Sequence, residues 1–207
     1  MSMFDKIFTD RDFDQLNNMV RWNGLNRIKD ESVAHHSFIV TWFSRIIVEE
    51  LLGDKNDSFK LEVITYALFH DFDEMFSGDI IHGVKYNEFN GKEIKKSIDE
   101  YCNFKVINKF AEQNSSNNLI KKNMTGFVSK SAKSIVKLSD WLSMCFYLKK
   151  EIALGNKGLY DHYFYCAEKV NHASLICKEE MSHIYGPTYN PKILDDIFEL
   201  NFSEYVK

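Results

Sequence analysis

The side chains best suited to chemistry are histidines and carboxylates that interrupt apolar, helix-patterned segments. His70 and Asp71 follow the apolar residues Leu68 and Phe69, and Glu74 comes one turn later. An adjacent imidazole and carboxylate offer a metal one nitrogen and one oxygen ligand. Glu74 is spaced to overhang both and to accept a proton from water. A single His-Asp pair also arises by chance, and a buried histidine is usually only hydrogen-bonded within a core.

A second helical segment carries a histidine pair, His35 and His36. His36 shares an apolar stripe with Val40 and Ile47, whereas His35 falls equally well in line with Ile39 and Trp42. Periodicity therefore predicts one core histidine and one exposed histidine without choosing between the two.

A third segment places Asp140 between Leu138 and Trp141, with Lys137 three residues earlier on the same face. A buried, unpaired carboxylate costs several kcal/mol, so Asp140 needs a partner. A salt bridge to Lys137 is one explanation. A divalent cation is the other, and Lys137 would then suit a bound phosphate.

Two histidines and two aspartates drawn from three helices are a suitable ligand set for Mn²⁺, Fe²⁺ or Co²⁺, and zinc also accepts such ligands. Such a set leaves coordination positions for water and substrate. The pattern therefore predicts a divalent metal site that is open to water and substrate.

The surrounding pattern predicts an all-α bundle of about six to eight helices in a single domain, residues 1–207. Two prolines and nine glycines are few, and no segment alternates with a period of two. We expect helices at about 3–20, 32–52, 59–76, 92–110, 131–154 and 160–185, and a last one from Asn190-Pro191. The segment at 32–52 is apolar nearly all round, which predicts a central, buried helix.

Composition excludes several classes of protein. Twenty-six basic and thirty acidic side chains give a net charge of −4, which argues against binding a nucleic-acid polymer. The four cysteines have no C-x-x-C spacing and are expected to be reduced thiols. The N-terminal residues do not resemble a signal peptide, and no apolar run suits a membrane span, so we expect a soluble, cytoplasmic protein.

Longer stretches of the sequence resemble a known family. Residues 21–22 read RW, 31–37 read ESVAHHS and 69–74 read FHDFDE. SGD at 77–79, VKY at 84–86 and VKLSD at 136–140 follow, with YLK at 147–149 and LGN at 154–156. In order and spacing these resemble the HD-domain superfamily, named for its His-Asp pair, and within it the bacterial 5′-deoxynucleotidases of the YfbR-like type.

The resemblance implies a role for each matching residue, and it selects His36 over His35. His36, His70, Asp71 and Asp140 would hold the metal. Glu74 would activate the attacking water, and Asp79 would help to orient it. Arg21 would bind the phosphate, and Trp22 would pack near the sugar and help to read the missing 2′-hydroxyl. Lys85 and Lys137 are further candidates for substrate binding. The family often forms dimers, so we expect a homodimer or a higher homo-oligomer.

The chain also departs from the family pattern near the expected sugar and base. His35 stands where a glutamate or another polar residue is usual, and residues 80–83 read IIHG where a proline is usual. Trp22 is followed by Asn23-Gly24 rather than by bulkier residues. Trp22 could also be an ordinary core tryptophan, and Lys85 a solvated lysine.

Three functions fit these residues. The first is a 5′-deoxynucleotidase that converts deoxynucleoside monophosphates to deoxynucleoside and phosphate. The second is a deoxynucleoside triphosphate triphosphohydrolase, for which basic residues near the site could bind a longer phosphate chain: Arg27, Lys29, Lys121, Lys122, Lys130, Lys133 and Lys137. The third is a non-catalytic nucleotide or metal sensor, which would be expected to lack Glu74 or a ligand.

Overall fold

A computed structural model describes residues 12–78, 90–111, 128–200, 202 and 204. Helices account for 78% of this part. They are α1 (Asp12–Asn18), α2 (Val33–Leu52), α3 (Asp57–Phe69), α4 (Glu74–Ser77), α5 (Gly91–Ala111), α6 (Lys130–Ala153), α7 (Tyr160–Tyr185) and α8 (Lys192–Phe198). Short 3-10 turns precede α7 and follow it. The only strand-like pairing in this part is a single bridge between Val20 and Ser32, so the all-α prediction is confirmed.

The helix boundaries follow local capping chemistry. Ser32 begins α2 by accepting a hydrogen bond from the amide of His35 at 3.1 Å, and Ser129 does the same for α6 through Ala132. Gly53 ends α2 with a φ of 55°, and Gly186 ends α7 with a φ of 53°. Glycine adopts this conformation at little cost. The predicted bounds of α2 and α7 are therefore confirmed.

The core lies where α2, α3, α6 and α7 meet. The pairing of α6 with α7 is the most extensive in the described part, and α2 packs against both α3 and α6. Val40, Val63, Leu138 and Leu148 are fully buried there, each contributing roughly 1.5–3 kcal/mol. This packing brings together the start of α2, the end of α3 and the middle of α6, which carry the candidate ligands.

Two predictions about these helices are wrong. The helix expected at 59–76 ends at Phe69, and a turn at residues 70–73 separates it from the short α4. The helix expected to be buried all round has an open side: Phe38, Trp42 and Ile46 of α2 are 60%, 51% and 41% exposed. Packing against α3 and α6 covers only part of the surface of α2.

The remaining predicted boundaries fall in two groups. α5 and α6 agree with their predicted spans to within a residue. The last helix begins at Lys192 with Pro191 as its cap, one residue later than the predicted cap Asn190, whose side chain accepts a hydrogen bond from the amide of Lys192. Residues 3–11 of the first predicted helix lie outside the described residues. All four cysteines are free and buried.

Candidate metal centre and active site

The ring of His36 is fully buried at the junction of α2 and α6. Its Nδ1 lies 3.0 Å from the hydroxyl of Ser143 on α6. Its Nε2 lies 3.3 Å from Oδ1 of Asp140 and 3.5 Å from Oδ2 of Asp71. His35 is exposed, so the structure settles what periodicity left open: His36 is the inward-facing histidine.

His70 is the capping residue that ends α3, and Asp71 follows in the turn. The Nδ1 of His70 lies 2.7 Å from the carbonyl oxygen of Ala67. A carbonyl can only accept, so Nδ1 carries the proton and Nε2 of the neutral ring is a free base. That Nε2 lies 3.4 Å from Oδ2 of Asp71 and faces the ring of His36, with the ring centres 5.4 Å apart.

These distances fit a shared metal ion. Ligand atoms of His36, His70 and Asp71 all lie within 4.8 Å of one another. Metal-ligand bonds of about 2.1 Å with tetrahedral angles place neighbouring ligand atoms about 3.4 Å apart. Both Nε2 atoms are buried and lack a hydrogen-bond partner among the described residues. Since a buried basic nitrogen facing carboxylates needs an electrophile, the site is suited to a divalent cation.

The protonation states suit the same use. Burial, reinforced by the positive charge of Arg21, lowers the pKa of His36 and so favours the neutral ring. Burial alone would raise the pKa of Asp71, but the neighbouring His70 and His36 lower it. The pKa of Asp140 is held well below its usual value, against the effect of burial, chiefly by Lys137 and His36. Neutral imidazoles and ionised carboxylates are the forms that bind metals.

Lys137 and Asp140 form the predicted ion pair, with Nζ 2.7 Å from Oδ2. Lys137 is 56% exposed, and its ammonium also lies 4.7 Å from the ring centre of Trp141. Asp140 uses its other oxygen towards His36. The salt bridge and a metal-ligand role are therefore compatible, since they occupy different oxygens of one carboxylate.

Glu74 begins α4, and its amide donates to the carbonyl of Asp71 at 3.1 Å. Its side chain is 6% exposed, and its charge acts on Arg21. The turn after α3, rather than continued helix, places Glu74 beside the ligands. Asp79 and Lys85 lie outside the described residues, so their predicted roles stay predictions.

Arg21 brings a buried positive charge to this cluster of carboxylates. Burial alone would lower the pKa of Arg21, yet the surrounding carboxylates raise it. These are, in decreasing order, Asp71, Glu31, Asp140 and Glu74. Its Nη1 lies 3.4 Å from Oε2 of Glu31, and its buried Nε has no hydrogen-bond partner among the described residues. A partly satisfied guanidinium beside a metal site is suited to an anionic ligand.

Trp22 is partly buried, packs against the main core and is held by two specific neighbours. Its indole N–H donates to Oε2 of Glu31 at 2.9 Å, and its ring stacks on Tyr147 at 5.2 Å between centres. Its backbone has a φ of 66°, which is unusual for a bulky residue. Strained backbone of this kind persists only where surrounding contacts impose it.

Sequence reasoning missed several residues that hold the site together. They are Glu31, Ser143, Tyr147 and Glu151, which are 4%, 1%, 6% and 1% exposed. One signal was available for three of them. From Asp140, steps of three, four and four residues reach Ser143, Tyr147 and Glu151, so all lie on one face of α6. We call Asp140, Ser143, Tyr147 and Glu151 the polar row of α6.

The fold resembles solved HD-domain structures. An HD-domain phosphohydrolase from Listeria innocua superposes with a TM-score of 0.63 at 22% identity, covering 97% of this chain and 92% of that chain. The HD phosphohydrolase of cyanophage S-2L, solved with dA and one catalytic Zn²⁺, gives a TM-score of 0.56 at 14% identity and covers 100% and 96%. The bundle that holds the His-Asp cluster therefore belongs to the class of HD-domain folds.

Sequence comparison narrows the class to a family. The family model described as 5′-deoxynucleotidase YfbR-like matches residues 11–187, and the chain belongs to that family. The 5′-deoxynucleotidase YfbR of Escherichia coli O127:H6 is 30% identical over 147 residues, which are 66% of this chain and 68% of that protein. The 4′-phosphooxetanocin A phosphatase of Priestia megaterium is 38% identical over 93 residues, 41% of this chain and 47% of the phosphatase. This chain thus spans about half the length of the Priestia relative.

Proposed function

We propose that this protein is a metal-dependent 5′-deoxynucleotidase, which hydrolyses deoxynucleoside 5′-monophosphates to the deoxynucleoside and inorganic phosphate. One observation carries the proposal. The two unpartnered Nε2 atoms of His36 and His70 face Asp71 and Asp140, beside a buried arginine. Membership of the YfbR-like family and the activities of the Escherichia coli and Priestia relatives support the same chemistry.

His36, His70, Asp71 and Asp140 would hold one divalent ion. When bound, the ion supplies a lowered pKa for water and polarises a phosphoryl oxygen. The mixed nitrogen and oxygen donors suit Mn²⁺, Co²⁺ or Fe²⁺. Zn²⁺ is the ion named for the cyanophage relative in fold, so it belongs in the same test.

Arg21 would bind the phosphate. Its unpartnered Nε and its second guanidinium nitrogen offer two parallel donors, the geometry that phosphate oxygens accept best. Neutralising the phosphate charge is a main requirement of phosphoryl transfer. Lys137, exposed beside Asp140, would add a second positive charge at the mouth of the site, and Lys85 would add a third.

Glu74 would accept the proton of the attacking water, and Asp79 would orient that water. The carboxylate of Glu74 is buried one turn beyond Asp71, close enough to Arg21 to act on its charge. Trp22 would pack against the sugar, where a large ring held in place leaves little room for a 2′-hydroxyl.

The deciding experiment identifies products. The purified protein, loaded in turn with Mn²⁺, Co²⁺, Fe²⁺ or Zn²⁺, is given each deoxynucleoside and ribonucleoside mono- and triphosphate, and the products are separated by ion exchange. We expect inorganic phosphate from the deoxynucleoside monophosphates. Intact triphosphate from a deoxynucleoside triphosphate would replace the proposal with the triphosphohydrolase reading. No turnover with any nucleotide would favour the sensor.

Two variants exclude a contaminating phosphatase. Asp71→Asn should lose both bound metal and activity, because it removes a charged ligand. Asp57→Asn is the matched control, since Asp57 begins α3, the helix that precedes Asp71, and its side chain is 94% exposed. Full activity of Asp71→Asn in metal-depleted buffer would refute the metal assignment.

A further inference from the structure

The loop of residues 22–30, which follows Arg21, is anchored by a carboxylate far away in the sequence. Oε2 of Glu151 accepts the amide N–H of Ile28 at 2.6 Å, and Oε1 accepts that of Lys29 at 2.8 Å. Glu151 lies near the end of α6 and is 1% exposed. Each oxygen of this buried carboxylate therefore binds one backbone amide of the loop.

Two neighbours of Glu151 bind the same loop. Asn156, just after α6, donates to Oε2 of Glu151 at 3.0 Å and to the carbonyl of Asn26 at 2.8 Å. The hydroxyl of Tyr147 donates to the carbonyl of Lys29 at 2.7 Å. The backbone of three loop residues, Asn26, Ile28 and Lys29, is thus held by hydrogen bonds to α6 and to Asn156 just after it.

The other end of the loop carries the residues proposed to bind substrate. Trp22 stacks on Tyr147 with the rings 9° from parallel, and its carbonyl accepts from Nη1 of Arg27 at 3.1 Å. Glu31 closes the loop by binding both Trp22 and Arg21 through one oxygen. The left-handed backbone of Trp22 is imposed by these contacts.

The polar row of α6 links this loop to the metal centre. Glu151 lies eleven residues after Asp140, which on an α-helix is about three turns and almost the same direction. Asp140 and Ser143 contact His36, whereas Tyr147 and Glu151 contact the loop. One helix therefore positions both the candidate ligands Asp140 and His36 and the loop that follows Arg21 and begins with Trp22.

We propose that Glu151 is a positioning residue, whose carboxylate sets the place of Arg21 and Trp22 relative to the metal centre and so determines how the sugar and phosphate of the substrate are recognised. The inference rests on the proposed function. A carboxylate is required because both of its oxygens accept amide hydrogens. Glutamine at this place would turn an NH₂ group towards the amide of Ile28 or Lys29, so that a donor faces a donor.

The test is the steady-state kinetics of Glu151→Gln with a deoxynucleoside monophosphate that the wild type hydrolyses and with its ribonucleotide counterpart. We expect unchanged metal content, a KM raised about 10-fold and a kcat within about threefold of the wild type, as for a misplaced binding arm. The preference for the deoxy substrate, as a ratio of kcat/KM values, should fall. Faster hydrogen exchange at the amides of Ile28 and Lys29 gives a readout independent of activity.

Two further variants make the result decisive. Glu168→Gln, an exposed glutamate on α7, is the matched control and should behave as the wild type. Asn156→Ala removes the hydrogen bonds from Asn156 to the carbonyl of Asn26 and to Glu151, at a less buried position. This variant replaces Glu151→Gln in the test if Glu151→Gln does not fold. If Glu151→Gln and Asn156→Ala both keep the KM and the deoxy preference of the wild type, the inference is overturned. It is also overturned if these two variants lose only metal content and kcat. A wild type that hydrolyses no monophosphate would instead refute the proposed function.

Discussion

At the scale of single residues, the hydrogen-bond partner of Nδ1 in each imidazole influences whether Nε2 is available as a base. Ala67 fixes the proton of His70 on Nδ1, which leaves Nε2 basic. Ser143 stands in the equivalent place for His36. A metal-ligating histidine almost always has such a partner, which orients the ring and raises its basicity. These hydrogen bonds therefore hold both rings in the orientation that the proposed metal site requires.

The role of Glu74 can be separated from that of the metal ligands. Glu74→Gln keeps the size of the side chain but cannot accept a proton. We expect metal content to be unchanged and kcat to fall about 10²–10⁴-fold, the usual contribution of a general base. Turnover is measured beside metal content, with the exposed Glu50→Gln on α2 as control. Unchanged turnover would assign the proton transfer to another group.

Ser143 offers a test of the partner of His36. Ser143→Ala leaves Nδ1 of His36 without its hydroxyl, so metal affinity should fall about 10–100-fold. Ser139→Ala is the matched control, because Ser139 is buried on the same helix but donates to the carbonyl of Ile135. Affinities are compared by competition with a chelator. Equal affinities in the two variants would show that Ser143 has no effect on the metal.

At the scale of elements, α6 does two things at once. Its apolar residues Ile135, Leu138 and Leu148 enter the core, and its polar row faces the site and the loop. About one turn of helix separates each member of the row from the next. Because all four lie on one helix, the contacts at one end have a fixed position relative to the contacts at the other end. The end of α3 at Phe69 matters equally, because the following turn lets His70, Asp71 and Glu74 face one centre.

The anchoring carboxylate also predicts how stability depends on pH. Burial alone would raise the pKa of Glu151, but hydrogen bonds from Ile28, Asn156 and Lys29 outweigh it and lower the pKa. A lowered pKa stabilises the fold above the unfolded value of about 4.3, and this contribution is lost as pH falls through the folded pKa. We expect Glu151→Gln to cost about 1–3 kcal/mol at neutral pH.

The measurement is urea unfolding of wild type and Glu151→Gln at a series of pH values. The difference between the two proteins should narrow as the pH falls below the unfolded value of about 4.3, and it should be lost once the pH has fallen through the lowered folded pKa, where the wild-type carboxylate becomes protonated. Comparing the two proteins at each pH cancels the contributions of other groups. A difference that stays constant with pH would show that the charge of Glu151 is not what holds the loop.

At the scale of the whole molecule, α2 has an exposed side that is rich in large apolar side chains. Phe38, Trp42 and Ile46 present large apolar side chains to water on one helix. Such patches are typical of association surfaces, and an apolar helix face suits contact with a second copy of itself. We propose that this face joins two copies of the chain, in line with the homodimer expected from the family resemblance.

The self-association proposal has a direct test. Trp42→Glu should shift the molecular mass measured by light scattering from the dimer towards the monomer, because a buried unpaired charge is costly at an interface. Ile184→Glu on α7 is the control, since Ile184 is exposed to a similar degree, 55% against 51%. A wild type that is monomeric at all concentrations, or an unaffected Trp42→Glu, would contradict the proposal.

None of the described helices is both long and apolar enough to cross a bilayer. The cytoplasmic location and the single-domain organisation expected from the sequence stay predictions.

The sequence by itself determined what is encoded locally. Capping residues and glycines set the ends of α2 and α7, and periodicity placed polar groups on apolar helices, which singled out His70, Asp71 and Asp140. The order of the motifs identified the family. The family motif had already selected His36 over His35, and the structure agrees with that choice. Only the tertiary structure decided where α3 ends and that Glu151 binds amides 122 and 123 residues away. Periodicity reports which face of a helix a residue lies on, whereas its partner depends on how distant helices pack.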